Sequence, residues 1–208
     1  MKRYGSIYTL LFLAAMFAIT TNTYGQADPR PTLEPSYDIS LQIIIGSNEA
    51  GKSADLGRDL TNVSRQLRSA FPFSGYRLAG TFMGRISNNG NYEYKSVSNI
   101  FGQEAEPKTM VPTFLEWNVT NLRNGQTAKG ETGFQAQFLK FGARVPVATS
   151  GVKEETGKMV STVSYESIGL NLSRVGLTEN LPTLIGTLNL PGADGTAFLV
   201  MTIRAADR

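Results

Sequence analysis

The chain contains no cysteine and no histidine in 208 residues. Without cysteine there is no disulfide, no thiol nucleophile and no lipoprotein attachment. Without histidine, Ser-His-Asp and Cys-His nucleophile systems are excluded, and so are histidine-ligated zinc and haem. Ser-Lys pairs and paired carboxylates survive this filter. The charge is close to balanced, with 20 basic and 17 acidic residues. No run of Lys and Arg stands out, so nothing in the sequence points to nucleic acid or to an anionic membrane surface as a partner. Long apolar runs are also scarce, and the one that exists lies near the start.

That run belongs to "MKRYGSIYTLLFLAAMFAITTNTYGQADPR". Lys2 and Arg3 precede an uncharged stretch from Ile7 to Ile19, about 13 residues, where roughly 20 are needed to cross a bilayer. Polar Thr20–Thr23 end it, and small residues follow. This is the pattern of a secretory signal peptide, residues 1–25, with cleavage expected after Gly25 or Ala27. Removing Lys2 and Arg3 leaves 18 basic against 17 acidic residues, a nearly neutral exported chain. No other segment is long and apolar enough for a transmembrane helix. A cysteine-free exported chain of this length can bury an adequate core unaided and fits a periplasmic or secreted location.

Residues 26–37, "QADPRPTLEPSY", are proline-rich and read as an extended leader. The pattern changes at Asp38, and residues 38–208 read as a single domain. Ile39, Leu41, Ile43 and Ile45 alternate, with Ile44 on the other face, which predicts a buried strand. Leu56, Leu60, Val63, Leu67 and Phe71 then trace one stripe of an amphipathic helix, capped by Ser53 or Asp55 and ended by Pro72. Leu60, Val63 and Leu67 are expected to dock on a sheet formed partly by Ile43 and Ile45. Everything later reads as strand. Hairpin turns are expected at Asn88-Asn89-Gly90, at Asn124-Gly125, in "GVKEETGK" and in "PGADG". The facing of "MVSTVSYESIGLNLSRV" is expected to shift near Ser167 through a bend or bulge. The fold class is therefore α+β: a strand-dominated, mostly antiparallel sheet or sandwich, with one amphipathic helix after the first strand. An outer-membrane barrel fits the strand count, but the helix and the charged end "IRAADR" argue against it.

One loop invites a sharper reading. Gly46, four residues, then Gly51-Lys52-Ser53 spell the phosphate-binding loop G-x-x-x-x-G-K-S/T between an apolar strand and a helix. Lys52 would supply charge and Ser53 would hold magnesium. That chemistry needs a mainly parallel sheet and a magnesium-binding aspartate at the end of another buried strand. No apolar run of four or more ends in Asp; Asp194 lies in a turn and Asp207 at the terminus. The plainer reading is a strand-to-helix turn in which Gly46, Asn48 and Gly51 supply permissive backbone.

Other candidates are sparse. Glu93, Glu116 and Glu166 fall in predicted strands. As catalytic acids they would make a small hydrolase; as sheet-face charges they are only solvated. Alternation turns Glu116 away from Leu115 and Trp117. Glu104, Glu106, Glu154 and Glu155 sit in loops without the spacing of a calcium loop. The single tryptophan, Trp117, with Tyr92 and Tyr94, would form either a stacking surface or part of the core, and the shared face of Leu115 and Val119 favours the core. Asn62, Asn118 and Asn171 head glycosylation-type triplets that matter only in a eukaryotic secretory route.

"VSRQLRSAFPFSGYRLAGT" and "LPTLIGTLNLPGADGTAFLVMTIR" resemble a group of uncharacterised exported bacterial proteins. The resemblance rests on Gln66-Leu67-Arg68, Phe71-Pro72-Phe73 and Tyr76-Arg77-Leu78 following an apolar strand. The strand–helix–strand opening is also similar, more remotely, to the periplasmic ring subdomains of secretins. The resemblance covers residues 38–85 and the last hairpin, and it implies no activity, cofactor or site residue. The functional expectation is a non-catalytic exported domain that binds another envelope or extracellular protein or contributes to an envelope assembly. The alternatives are a hydrolase using carboxylates or a Ser-Lys pair, and nucleotide binding at Gly46–Ser53. No catalytic, cofactor-binding or metal-ligating residue is assigned.

Overall fold

The computed structural model describes residues 34–48, 55–101, 111–153, 159–191 and 195–206, with backbone alone at 148–153 and 159–162. The elements run β1 (Ser36–Ser47), a 3-10 turn (Arg58–Leu60) leading into helix α1 (Thr61–Ala70), β2 (Gly75–Ser87), β3 (Tyr92–Ser98), β4 (Thr113–Gln126), β5 (Thr132–Lys153), β6 (Met159–Thr178), β7 (Thr183–Asn189) and β8 (Gly195–Ala205). They form two four-stranded antiparallel sheets, β2-β1-β8-β7 and β3-β4-β5-β6. The expected α+β class holds: strands dominate, and the single helical segment among the described residues follows the first strand.

Three layers result. Period-two alternation gives β1 one face made of Tyr37, Ile39, Leu41, Ile43 and Ile45. That face meets Leu115, Trp117, Val119, Leu139 and Phe141 of the second sheet in the main core. A second core lies on the other side of the first sheet. There Leu56, Leu60, Val63 and Leu67 cover Ile44, Tyr76, Phe198 and Val200. The helix thus docks on the sheet that Ile43 and Ile45 help to form, as expected, and it does so on the Ile44 face. Those two isoleucines are taken by the sheet-to-sheet core.

The helix also starts later than its apolar stripe. Gly57 has φ 83°, a left-handed conformation that breaks a helix between Leu56 and Arg58. Asp55 accepts a hydrogen bond from the Gly57 N–H at 3.2 Å, a local turn rather than a helix cap. No side-chain cap is found at the helix start, and Ser53 lies outside the described residues. At the far end Phe71 is extended, as a residue before proline prefers. The Tyr76 hydroxyl donates to the carbonyl oxygens of Leu67 and Phe71, which ties the helix end to β2.

Two turn expectations are corrected. Asn88–Gly90 does turn, with Asn89 at φ 56° and the Gly90 N–H donating to Ser87 O at 3.0 Å. It does not close a hairpin, because β2 pairs with β1 and β3 with β4. The turn carries the chain from one sheet to the other and bonds to β4 through Asn89 N–H to Leu122 O and Leu122 N–H to Gly90 O. Asn124-Gly125 lies inside β4, opposite Phe134 and Gly133. The β4–β5 hairpin closes instead over Thr127–Gly130, where Gly130 takes φ 79°. The β5–β6 and β7–β8 hairpins form as expected. The centres of their turns, 154–158 and 192–194, fall outside the described residues.

The bend expected near Ser167 lies elsewhere. Alternation runs unbroken through Ser167; only the apolar residues change face, from Tyr165 outside to Ile168 inside. The break comes at Arg174, with φ 55°. There the inward set skips from Leu172 to Val175. The same skip occurs in β4, from Val119 to Leu122 around Asn121 with φ 50°, and in β5, from Ala136 to Leu139 around Gln137. Each of the three strands carries one extra residue at the same level. The register is therefore kept, Ala136 pairing with both Leu122 and Val175, while the sheet bends along a line across β4, β5 and β6.

Candidate functional site

The second sheet has one covered face. Its other face holds the residues that alternate with the core set. Pairing arranges them in cross-strand rows: Val97–Phe114–Arg144–Ser167, Lys95–Glu116–Gly142–Gly169, and Glu93–Asn118–Lys140–Asn171. Among the described residues no element lies over this face, and no strand pairs with the outer edge of β6.

The middle row is a depression. Gly142 and Gly169 are opposite each other and bare the backbone, so the surface sinks between Phe114 and Lys140 into a hollow of about 800 Å³. Glycine is required at position 169, where a Cβ would lie 2.5 Å from Phe141 O. Paired glycines inside a sheet mark a place where something approaches the backbone closely.

One rim is apolar and aromatic. Phe114 and Tyr165 lie 5.7 Å apart, and the Arg144 guanidinium sits 5.8 Å from the first ring and 5.4 Å from the second. The Tyr165 hydroxyl is anchored on Pro112 O. Phe114 is 41% exposed, Val97 60% and Val163 39%. The other rim is charged. Glu116 pairs with Lys140 at 2.9 Å and Glu93 with Lys95 at 2.8 Å. The hydrogen bond and charge of Lys140, helped by Lys95, pull the Glu116 carboxyl below its ordinary range. Glu93, hydrogen-bonded to Lys95, raises the pKa of that exposed ammonium.

The three carboxylates do not form a catalytic set. Glu93 and Glu116 share the open face but are each tied to a lysine. Glu166 stands opposite Val145, hence on the other face, and is exposed. A general acid needs its pKa raised by burial, the reverse of what Glu116 experiences. Trp117 is 1% exposed, and Tyr92 and Tyr94 pack against it at 4.8 and 6.3 Å, so these rings belong to the core as alternation implied. Among the described residues no cluster of three acidic side chains could hold a metal ion.

Gly46 sits inside β1, paired antiparallel with Tyr76 on one side and Thr196 on the other. A Cβ there would lie 2.8 Å from the Phe73 ring and 2.9 Å from that of Phe198. This glycine makes room for two aromatic rings, in an antiparallel rather than a parallel sheet. Lys52 and Ser53 lie outside the described residues, as do Glu104, Glu106, Glu154 and Glu155. Sequence reasoning missed the Gly142–Gly169 pair and the Arg144 stack, because neither is visible before the β4–β5–β6 register is known.

No family model matches the chain, and no curated protein does. Among solved structures it is similar to the InvG secretin domain β-barrel of the Salmonella SPI-1 injectisome, at 11% identity over 98% of this chain and 68% of that one, with a TM-score of 0.32. It is also similar to the InvG secretin, residues 176 to the end, in the open gate state of the Salmonella SPI-1 type III secretion injectisome, at 9% identity over 99% of this chain and 66% of that one, with a TM-score of 0.30. Scores this low equate neither folds nor functions. The described helices include none long and apolar enough to cross a membrane.

Proposed function

We propose that the chain is an exported, non-catalytic domain that binds another protein of the envelope or extracellular space through the open face of the β3–β6 sheet. The observation that carries this reading is the exposed cluster of Val97, Phe114, Arg144 and Tyr165 beside the bare Gly142–Gly169 backbone. Arginine and aromatic side chains are the residue types that dominate binding energy at protein interfaces. An exposed apolar patch on the open face of a sheet marks an interaction surface. The hydrolase alternative loses ground because Glu93 and Glu116 are solvated and lysine-paired, and Glu166 points elsewhere. Export rests on the signal-peptide pattern of residues 1–25 with the leader at 26–37. The domain at 38–208 is supported by Glu34–Arg208 packing as one unit, with Ser36 and Tyr37 of the leader drawn into β1.

Capture from native envelope extracts tests the proposal. Val97→Ser combined with Phe114→Ser is expected to keep the fold and lose the captured protein; Asn62→Ser combined with Arg65→Ser on the helix is expected to keep it. Capture that survives the sheet-face pair and disappears with the helix pair would reject this surface. Sequencing of the native N-terminus is expected to begin at Gln26 or Asp28, and an intact Met1 in the cytoplasm would reject export.

A further inference from the structure

At the other end of the same open face, the bend across β4, β5 and β6 builds a second hollow, of about 400 Å³, lined by Asn121, Arg123, Gln135, Gln137 and Arg174. Every lining side chain is polar and two are cationic; none is acidic. The extra residue in each strand explains the crowding. Where alternation slips, two consecutive residues turn outward in each strand: Thr120–Asn121, Gln137–Phe138 and Ser173–Arg174.

The bonds inside the hollow decide what it can bind. Arg123 Nε can only donate, and it faces Asn121 at 3.3 Å, so the Asn121 atom there is the carbonyl Oδ1. Asn121 Nδ2 then donates to Gln137 Oε1 at 2.7 Å. The acceptors of Asn121 and Gln137 are both occupied from within. The groups left open are mainly donors: the Arg123 Nη atoms, Gln137 Nε2, the Gln135 amide, and Arg174, which makes no hydrogen bond or ion pair among the described residues. Asn121 is fixed further by donating its backbone N–H to Asn91 Oδ1 at 2.8 Å. Arg174 holds φ 55°, a conformation that glycine adopts freely and arginine does not. A bend alone is better served by glycine; the residue at this position instead brings a guanidinium to the hollow.

We propose that this hollow is a binding site for an oxyanion, a phosphate or carboxylate group carried by a larger molecule, held between the guanidinium groups of Arg123 and Arg174 and the amides of Gln135 and Gln137. Guanidinium forks match such groups in geometry and charge. The volume is at the small end of ligand pockets and suits a single headgroup or acidic sugar unit. This site does not depend on the protein-binding reading of the Phe114 region.

Side-chain amide NMR of the purified protein tests it, with inorganic phosphate and glucuronate titrated against chloride-matched controls. The Gln135 and Gln137 amide resonances are expected to move saturably. Arg123→Gln and Arg174→Gly are each expected to weaken the response at least about tenfold, while Arg144→Gln leaves it unchanged. Arg174→Gly is also expected to melt at a higher temperature than the parent, which separates lost binding from lost folding. Cosedimentation with phosphatidylglycerol vesicles that both arginine variants abolish would place the anion on a lipid. A phosphate or glucuronate response without cosedimentation would place it on a soluble molecule. No saturable shift with either anion, or a response that survives Arg174→Gly intact, would overturn the proposal.

Discussion

The two sheets are built from similar strands but are treated differently by the rest of the chain. The β2-β1-β8-β7 sheet is covered by the second sheet on one face and, over Ile44, Tyr76, Phe198 and Val200, by the helix on the other. β8 shows this in its sequence: Ala197 to Ile203 is buried at every position, with residues on both faces apolar except Thr202. The β3-β4-β5-β6 sheet is covered once. β4 alternates buried Thr113, Leu115, Trp117 and Val119 with Phe114, Glu116, Asn118 and Thr120 on the open side. A strand buried on both faces carries structure alone. A strand with one open face has side chains to spare for recognition, and an aromatic left on that face calls for an explanation that packing does not provide.

Substitutions can break or sharpen this contrast. The largest effects belong to the doubly covered sheet. Phe198→Ala and Leu67→Ala, both fully buried in the helix-to-sheet core, are expected to cost about 3–5 and 2–5 kcal/mol in denaturant melts, as such truncations do. A loss below about 0.5 kcal/mol would mean the helix is not docked there.

Next comes the floor of the hollow. Gly169→Ala places a methyl group against Phe141 O and is expected to cost about 1–3 kcal/mol. Gly176→Ala, with nothing near the added carbon, is expected to be within about 0.5 kcal/mol of the parent. Equal costs would show that the backbone approach at Gly169 is not tight.

Phe114→Ala on the open face is expected to cost less than about 1 kcal/mol, because the ring is only part-covered. A cost near that of Phe198→Ala would show that the open face is structural after all.

The smallest effect is Glu116→Gln. Its partner Lys140 is half exposed, so the pair contributes at most about 0.5 kcal/mol at neutral pH. The Glu116 carboxyl is held below its ordinary value. Its contribution is therefore present above the ordinary glutamate range, about pH 4.3, and is lost as pH falls through the lower folded value. The gap between parent and variant should close in acid; a gap that widens there would contradict the pairing.

Much of the fold was legible in the sequence because period-two alternation and the Leu56–Phe71 stripe report burial directly. The facing of Glu116 and the burial of Trp117 followed from the same rule. What periodicity does not carry is partner choice. Alternation puts Ile43 and Ile44 on opposite faces, and only the packing of the second sheet and of the helix assigns those faces to different cores. Asn124-Gly125 has turn chemistry, but β4 and β5 continue past it, and the left-handed glycine at Gly130 takes the turn. The bend was within reach. Val119 to Leu122 and Leu172 to Val175 are each an interval of three in an otherwise even spacing, visible as skips before any register is known, while Phe138 masks the matching skip from Ala136 to Leu139. The Gly142–Gly169 hollow was not within reach, because it exists only once β5 and β6 are aligned.

The central claim is that the open face of the second sheet, and not the helix side, meets another protein. Site-specific photocrosslinking in the native envelope tests it most directly, with the probe placed in turn at Val97 and at Arg65. Both positions are exposed and neither supports the core. A discrete protein adduct from Val97, absent from Arg65, is the result expected. A discrete adduct from Arg65 with none from Val97 would contradict it.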